Sequence, residues 1–248
     1  MNTKNRLYLL DSMRGLSVIS MVIYHAMYDI VAIYGVDVGW YFDTPGYIWQ
    51  QSICWSFILI SGICWGMGKA PLKRGIAVSL CGLVITAATF FFMPSQLIVM
   101  GVLSFIGAAM LLMIPVSKFA KNSKVWFAAS AVLFFITRNI NSGWLGFEKI
   151  LIARLPSALY ALPLGFVVGL PAPGFYSSDY FSLIPWFFLF ASGHFGWQLV
   201  KNKASKSRLM QTDIPLLGVI GRKSLIIYML HQPLTMAVLE VVSKLLTF

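Results

Sequence analysis

Long apolar runs alternate with short polar breaks along most of this chain. The runs fall at about 14–33, 48–67, 75–92, 97–115, 125–141, 183–200 and 222–246. At about 1.5 Å of rise per residue, each crosses or nearly crosses a hydrocarbon core roughly 30 Å thick. The stretch 142–182 breaks the pattern. Asn139, Asn141 and Ser142 lead into it, and Glu148, Lys149 and Arg154 follow. Pro156, Pro163, Pro171 and Pro173 then punctuate it, leaving one apolar piece at 159–170. A run of about a dozen apolar residues is too short to span and reads as re-entrant or interfacial. The predicted architecture is all-α: a polytopic integral membrane helical bundle of about seven spans plus that short segment. With no internal repeat, low-complexity tract or linker, residues 1–248 read as a single domain.

Composition narrows the class. Hydrophobic residues make up 58% of the chain and charged ones 11%, against roughly a quarter charged in soluble domains. Disorder, coiled coil and a soluble enzyme are excluded. The net charge of +11 would suit a nucleic-acid partner, but its placement argues against one. Basic residues cluster in the breaks: Lys4 and Arg6; Lys69, Lys73 and Arg74; Lys118, Lys121 and Lys124; Lys201, Lys203, Lys206 and Arg208; Arg222 and Lys223. That is the positive-inside pattern. With a cytoplasmic N-terminus and 159–170 not crossing, 15 of the 19 basic residues lie inside; only Arg138, Lys149, Arg154 and Lys244 lie outside. The C-terminus is then outside, and the location is the plasma membrane. Lys4 and Arg6 before an apolar run imitate a secretory signal. No small-residue cleavage site follows, and His25 and Asp29 interrupt the run, so it reads as an uncleaved first span. Cys54, Cys64 and Cys81 lie inside apolar runs without metal-ligand spacing, which makes them packing residues; no metal is expected.

The chemistry is expected where polar groups interrupt spans, because an ionisable side chain in the bilayer usually marks a pathway or a site. His25 and Asp29 are four apart, so they share one helix face and can touch, the carboxylate then orienting the imidazole. A satisfied His–Asp pair locking helices together would look the same, as would a proton relay. His25 lies 11 residues beyond Arg14 and His231 lies 9 beyond Arg222, about 16 and 14 Å along a helix. Both histidines are thus expected near the midplane, each on a helix with an arginine at its cytoplasmic end. Asp11 is expected to pair with a cation or to cap the first helix. Arg14 and Arg222 suit a cytoplasmic anion site, since guanidinium matches phosphate geometry; Lys223 reads as ordinary anchoring. His194, beside Gly193 and Gly196, reads as a helix-contact residue. Pro233 frees a carbonyl next to His231 and Gln232 and kinks that helix. On the outer side, Asp179, followed by Tyr180, either grips a sugar hydroxyl or amine or caps the next helix.

Leu10-Asp11-Ser12-Met13-Arg14-Gly15 followed by His25 spells an arginine, ten residues and a histidine. It resembles the signature of the transmembrane acyltransferase superfamily, which includes the acyltransferase-3 proteins. Four further segments narrow the resemblance to the catalytic-domain family of heparan-alpha-glucosaminide N-acetyltransferase, in its short bacterial form. They are Tyr24-His25 with Asp29; Ile58-Leu59-Ile60-Ser61-Gly62; Ser178-Asp179-Tyr180-Phe181 leading to Pro185-Trp186; and Gly221-Arg222-Lys223-Ser224-Leu225 leading to Tyr228 and His231-Gln232-Pro233. The similarity runs from about residue 6 to 240. Ser104, Ser182 and Lys223 depart from the family's pattern and bear on substrate identity more than on reaction type.

The resemblance implies a membrane enzyme that takes an acyl group, often acetyl, from coenzyme A on the cytoplasmic side. It delivers that group to a sugar amine or hydroxyl presented from the other face. His25, oriented by Asp29, would act as base or acyl carrier, and His231 with Gln232 would polarise the thioester. Arg14 and Arg222, with Asp11 and Gln232 beside them, would hold acetyl-CoA, and Asp179 and Tyr180 would meet the acceptor. Lipid, acyl-CoA and a glycan are the expected partners. A proton-coupled transporter using His25, Asp29 and His231 as a relay is the competing reading, and a non-catalytic membrane subunit a third.

Overall fold

The computed structural model describes residues 7–246, so Lys4 and Arg6 lie outside the described residues. The chain is mostly helical. Among the described residues, five helical segments are long and apolar enough to cross a membrane: Tyr8–Ile33, Thr44–Trp65, Pro71–Phe92, Val102–Phe119 and Ser224–Leu245. Two further expected spans form helices that do not reach that standard. Ser123–Thr137 has 15 residues, about 22 Å by helical rise. Leu183–Ala204 is long, but it carries His194 and Gln198 and ends in Lys201 and Lys203. The piece at 159–170 forms a tight turn at Ser157–Ala161 and a single helical turn, α6, at Gly165–Val168, far too short to cross. The all-α expectation is amended by one antiparallel hairpin, β1 (Trp144–Phe147) and β2 (Ile150–Arg154). Gly143 and Gly146 supply the positive φ angles its irregular register needs.

Two compact units emerge, residues up to 57 with 201 onward, and residues 58–200. The first contains α1 (Tyr8–Tyr28), a wider helical turn at Asp29–Ile33 and the start of α2 (Thr44–Trp65). It also contains the short α8 (Arg208–Gln211), α9 (Pro215–Arg222) and α10 (Ser224–Leu246). The apolar run expected to start at 222 is therefore broken. Lys223 leaves helical geometry (φ −98°, ψ 13°), so Arg222 ends α9 while His231 belongs to α10. The helical-rise estimate from Arg222 to His231 does not apply.

Helices α1 and α9 cross with their backbones in close approach. A Cβ on Gly15 would stand 2.1 Å from the Leu217 carbonyl oxygen, and one on Gly221 would stand 1.8 Å from that of Asp11. Only glycine lets backbones meet so tightly, the small-residue contact common between membrane helices. Hydroxyls bind α1 to the first half of α2: Ser17 to Ser56 at 3.0 Å, and the Trp49 indole N–H to Ser20 at 2.8 Å.

In the second unit the same device recurs. Helices α3 (Pro71–Phe92) and α4 (Val102–Phe119) cross through Gly82 against Ser104 and Gly107 against Ser79. The end of α2 meets α7 (Leu183–Ala204) through Gly62 against the Phe190 carbonyl and Gly193 against that of Leu59. Helix α5 (Ser123–Thr137) joins α7 by a buried hydroxyl pair, Ser130 to Ser192 at 2.9 Å. Ser104 thus lies in a crossing where a Cβ on Gly82 would meet its hydroxyl and backbone at 2.4–2.8 Å.

The crossing geometry predicts that Gly15→Ala and Gly221→Ala each destabilise the protein by about 1–3 kcal/mol, the usual cost of overpacking. Thermal unfolding in detergent checks this against Gly39→Ala, which adds a Cβ where nothing lies within 4 Å and should leave the midpoint unchanged.

Candidate functional site

The polar residues of α1 and α10 meet inside the first unit. Asp29 is fully buried. Its carbonyl accepts from the Tyr34 N–H five residues on, so the helix widens there by one residue per turn. Its carboxylate faces α10, where the Gln232 amide donates to Oδ1 at 2.7 Å. The Thr235 hydroxyl lies 3.5 Å from Oδ2. That hydroxyl has a single proton and stands nearer the His231 carbonyl, at 2.9 Å, so Gln232 is the stronger donor to Asp29.

Among the described residues Asp29 receives no hydrogen bond from His25. The expected i,i+4 pair is therefore corrected: the Asp29 carboxylate turns to α10, where the Gln232 amide is its main donor. His25 turns to α10 as well, with Nδ1 2.8 Å from His231 Nε2 and the ring centroids 4.8 Å apart. His231 is itself buried, and its Nδ1 lies 2.7 Å from the Tyr228 carbonyl oxygen.

These two contacts fix the protons of the neutral pair. A carbonyl only accepts, so His231 Nδ1 carries hydrogen and donates to it. His231 Nε2 then holds a lone pair and accepts from His25 Nδ1–H. His25 is left with its lone pair on Nε2. The free lone pair of the contact is thus on His25 Nε2, and His231 rather than Asp29 sets its tautomer. The Gln232 side chain also faces His25, and its Oε1 is buried without a hydrogen-bond partner among the described residues.

Around this core an aromatic group holds α1 and α2. Tyr41 is buried, and its hydroxyl donates to the Tyr24 carbonyl at 2.9 Å. Burial pushes that hydroxyl above its ordinary pKa and keeps it a donor. The Tyr24 ring packs on Tyr41 and edge-on to Trp49, with centroids 5.1 and 5.2 Å apart. Gly46 allows the Tyr41 carbonyl to lie against the first turn of α2.

The α1/α9 crossing brings the two predicted arginines together by their backbones, since Arg14 precedes Gly15 and Arg222 follows Gly221. Asp11 lies within the first turn of α1, whose N-cap position is Leu7. It pairs with Arg14 at 3.8 Å, as its charge suggested.

Asp179 and Tyr180 belong to the second unit. Asp179 Oδ2 accepts from the Val102 N–H at 3.0 Å and so caps α4, not the helix that follows it in sequence. The Tyr180 hydroxyl, its pKa pushed up to about 12 by burial, donates to the Phe166 carbonyl. His194 is buried edge-on to Trp65, centroids 5.0 Å apart, the helix-contact role expected of it. Among the described residues no group of acidic, histidine and cysteine side chains could hold a metal ion.

Sequence reasoning missed Thr235 and the Tyr228 carbonyl. Thr235 was accessible as the residue one turn beyond His231; a backbone carbonyl leaves no mark in a sequence.

No curated protein and no solved structure matches the chain. Residues 6–233 match the family described as heparan-alpha-glucosaminide N-acetyltransferase, catalytic. That stretch covers both arginines, both site histidines and the whole Asp29–Gln232 contact, and the chain belongs to this family of membrane N-acetyltransferases.

Proposed function

We propose that the chain, as one integral membrane domain of about seven spans, transfers an acyl group, most simply acetyl, from cytoplasmic acyl-CoA to a sugar amine or hydroxyl. The acceptor reaches the site from the extracytoplasmic face. The N-terminus is cytoplasmic and the C-terminus outside, in the cell membrane. Family membership supports the transferase class. The observation that carries the mechanism is the His25–His231 hydrogen bond, which leaves an oriented lone pair on His25 Nε2 inside an apolar interior.

In this reading Nε2 takes the proton from the acceptor's nitrogen or oxygen as that atom attacks the thioester carbonyl. The C–S bond then breaks, and the departing thiolate recovers the proton to leave as coenzyme A. Protonated His25 keeps donating to His231 through Nδ1, and Gln232, whose side chain faces His25, offers its Oε1 as an acceptor for the new N–H. Asp29 therefore acts through Gln232, whose amide it holds in place. Attack by Nε2 itself, giving an acyl-histidine, uses the same lone pair. Water exclusion protects the thioester from hydrolysis. Arg14 and Arg222 hold the phosphates of the donor, about 16 Å of helix from His25 for Arg14. Asp179 would have to meet the acceptor while capping α4, and Tyr180 while bonded to Phe166.

With purified protein in detergent, Arg14→Ala should weaken acetyl-CoA binding by about 1.5–3 kcal/mol per lost charge-assisted bond, with the fold intact. Titration calorimetry reads this directly, and unchanged affinity removes Arg14 from the site.

His25→Ala should lower turnover per folded molecule by at least about 10²-fold, the low end for acid–base catalysis, while acetyl-CoA still binds. Asp29→Asn should cost less, since the imidazole and its His231 partner remain. Near wild-type transfer by a folded His25→Ala protein would sink the mechanism. Proton flux through liposomes without acetyl-CoA consumption would favour the transporter reading instead.

The tautomer assignment makes a finer prediction. His231→Gln still offers an acceptor to His25 Nδ1–H and should retain turnover within about tenfold, whereas His231→Leu should lose about 10²-fold, the scale of acid–base assistance. Equal losses in thiol-release assays on folded protein would exclude His231 as the residue that orients His25.

A further inference from the structure

The hairpin of the second unit is built with care and half uncovered. Its inner strand is anchored: Phe147 packs edge-on to Phe135 of α5, centroids 5.1 Å apart. Asn139 clamps the turn with two bonds, donating to the Glu148 carbonyl at 2.8 Å and accepting from the Glu148 N–H at 3.0 Å. Arg138 lies 3.5 Å from the Glu148 carboxylate. Gly146 is required, because a Cβ there would meet the Ile150 carbonyl at 2.1 Å.

The outer strand, β2, is exposed at every position. Ile150, Leu151 and Ile152 are 68%, 51% and 63% exposed. Neighbouring side chains of a strand point to opposite faces, so both faces of this edge are apolar and bare.

We propose that the hairpin Trp144–Arg154 is an interfacial anchor lying in the headgroup–acyl boundary of the bilayer. Three physical constraints select that occupant. A two-stranded hairpin with bare apolar faces is marginal in water. An open strand edge is excluded from the hydrocarbon core, where its peptide groups would find no partners. Edge-to-edge pairing with a second copy would satisfy those peptide groups but leave both faces bare. The boundary region alone covers the faces with acyl chain and leaves the edge to water and headgroups. The ends of the strand carry the matching charge: exposed Lys149 at the turn and Arg154, whose guanidinium lies 6.0 Å from the centre of the Trp144 ring. Cations and an indole at that depth suit lipid phosphates and the interfacial belt. The hairpin follows α5 directly, and Lys118, Lys121 and Lys124 stand at or before the start of that helix, so its two ends are marked for two different interfaces.

The test places p-acetylphenylalanine at 151 or 152 and attaches a ketone-reactive nitroxide, leaving the cysteines in place. The full-length protein is reconstituted in nanodiscs of phosphatidylethanolamine and phosphatidylglycerol. Electron paramagnetic resonance then compares collisions with lipid-soluble oxygen and with water-soluble nickel chelate, against the same label at 149. The anchor predicts oxygen-dominated collisions at both 151 and 152, at a depth close to the phosphates, and nickel-dominated collisions at 149. Nickel-dominated collisions at 151 and 152 would overturn it by placing the strand in water. Spin–spin broadening between copies would overturn it in favour of an edge-paired dimer. Protection from both reagents would overturn it in favour of burial in protein. If a label at 152 prevents folding, the label at 151 distinguishes the same outcomes.

Discussion

A carboxylate removed from water is the constraint on which the first unit turns. Burying an ionised group costs several kcal/mol unless donors replace the lost solvent. Asp29 is fully buried, and its carboxylate finds donors on α10: the Gln232 amide and, more weakly, the Thr235 hydroxyl. Meeting that requirement sets the height and rotation of α10 against α1. Once Gln232 reaches Asp29, the residue before it, His231, falls opposite His25. The histidine contact is thus secured by a carboxyl group that touches neither ring through a hydrogen bond. The widened turn beginning at Asp29 belongs to the same arrangement, a local departure from α geometry of the kind found at functional positions.

Two scales of contact then divide the labour. Glycine-mediated crossings fix the backbones where helices meet, and side-chain hydroxyls and aromatic rings fill what remains. In the first unit this puts Arg14 and Arg222 beside one crossing and the histidine pair at another contact along α1. Helix α1 thus carries a charged pair near its start and a buried polar contact toward its end. A single direction of hydrogen donation runs from His25 through His231 to a peptide oxygen.

Much of this is legible in the linear chain. Hydropathy runs reveal the membrane class and five of the spans, because apolar length is a one-dimensional property. Arg14, His25, Asp29, His231 and Gln232 stand out because polar groups inside apolar runs are conspicuous. What fails is arithmetic that assumes an unbroken helix. Spacing puts Arg222 on the helix of His231, yet nothing at Lys223, neither glycine nor proline, announces the break. The His25–Asp29 pair follows from i,i+4 spacing, but partners on α10 outcompete a neighbour on α1, and the spacing of one helix is silent about the side chains of another. Asp179 stands in sequence just ahead of α7 and instead caps α4, some 77 positions earlier in the chain. The hairpin escapes detection because its polar frame and prolines read as irregular chain, its pairing depending on Asn139 and a glycine that only the folded register explains.

The Tyr228 carbonyl has a consequence of a different kind. It is the terminal acceptor that decides which nitrogen of His231 bears hydrogen, and so which nitrogen of His25 is basic. Peptide oxygens are common to every residue type, so this instruction is written in the backbone and not in the alphabet of side chains. Substitution scanning would pass over position 228 without registering it, recording at most the loss of a phenol ring. Relatives that differ there could keep the same proton arrangement unchanged. A reactive centre can in this way hold one of its defining elements outside the reach of ordinary mutation, inherited with the helix itself.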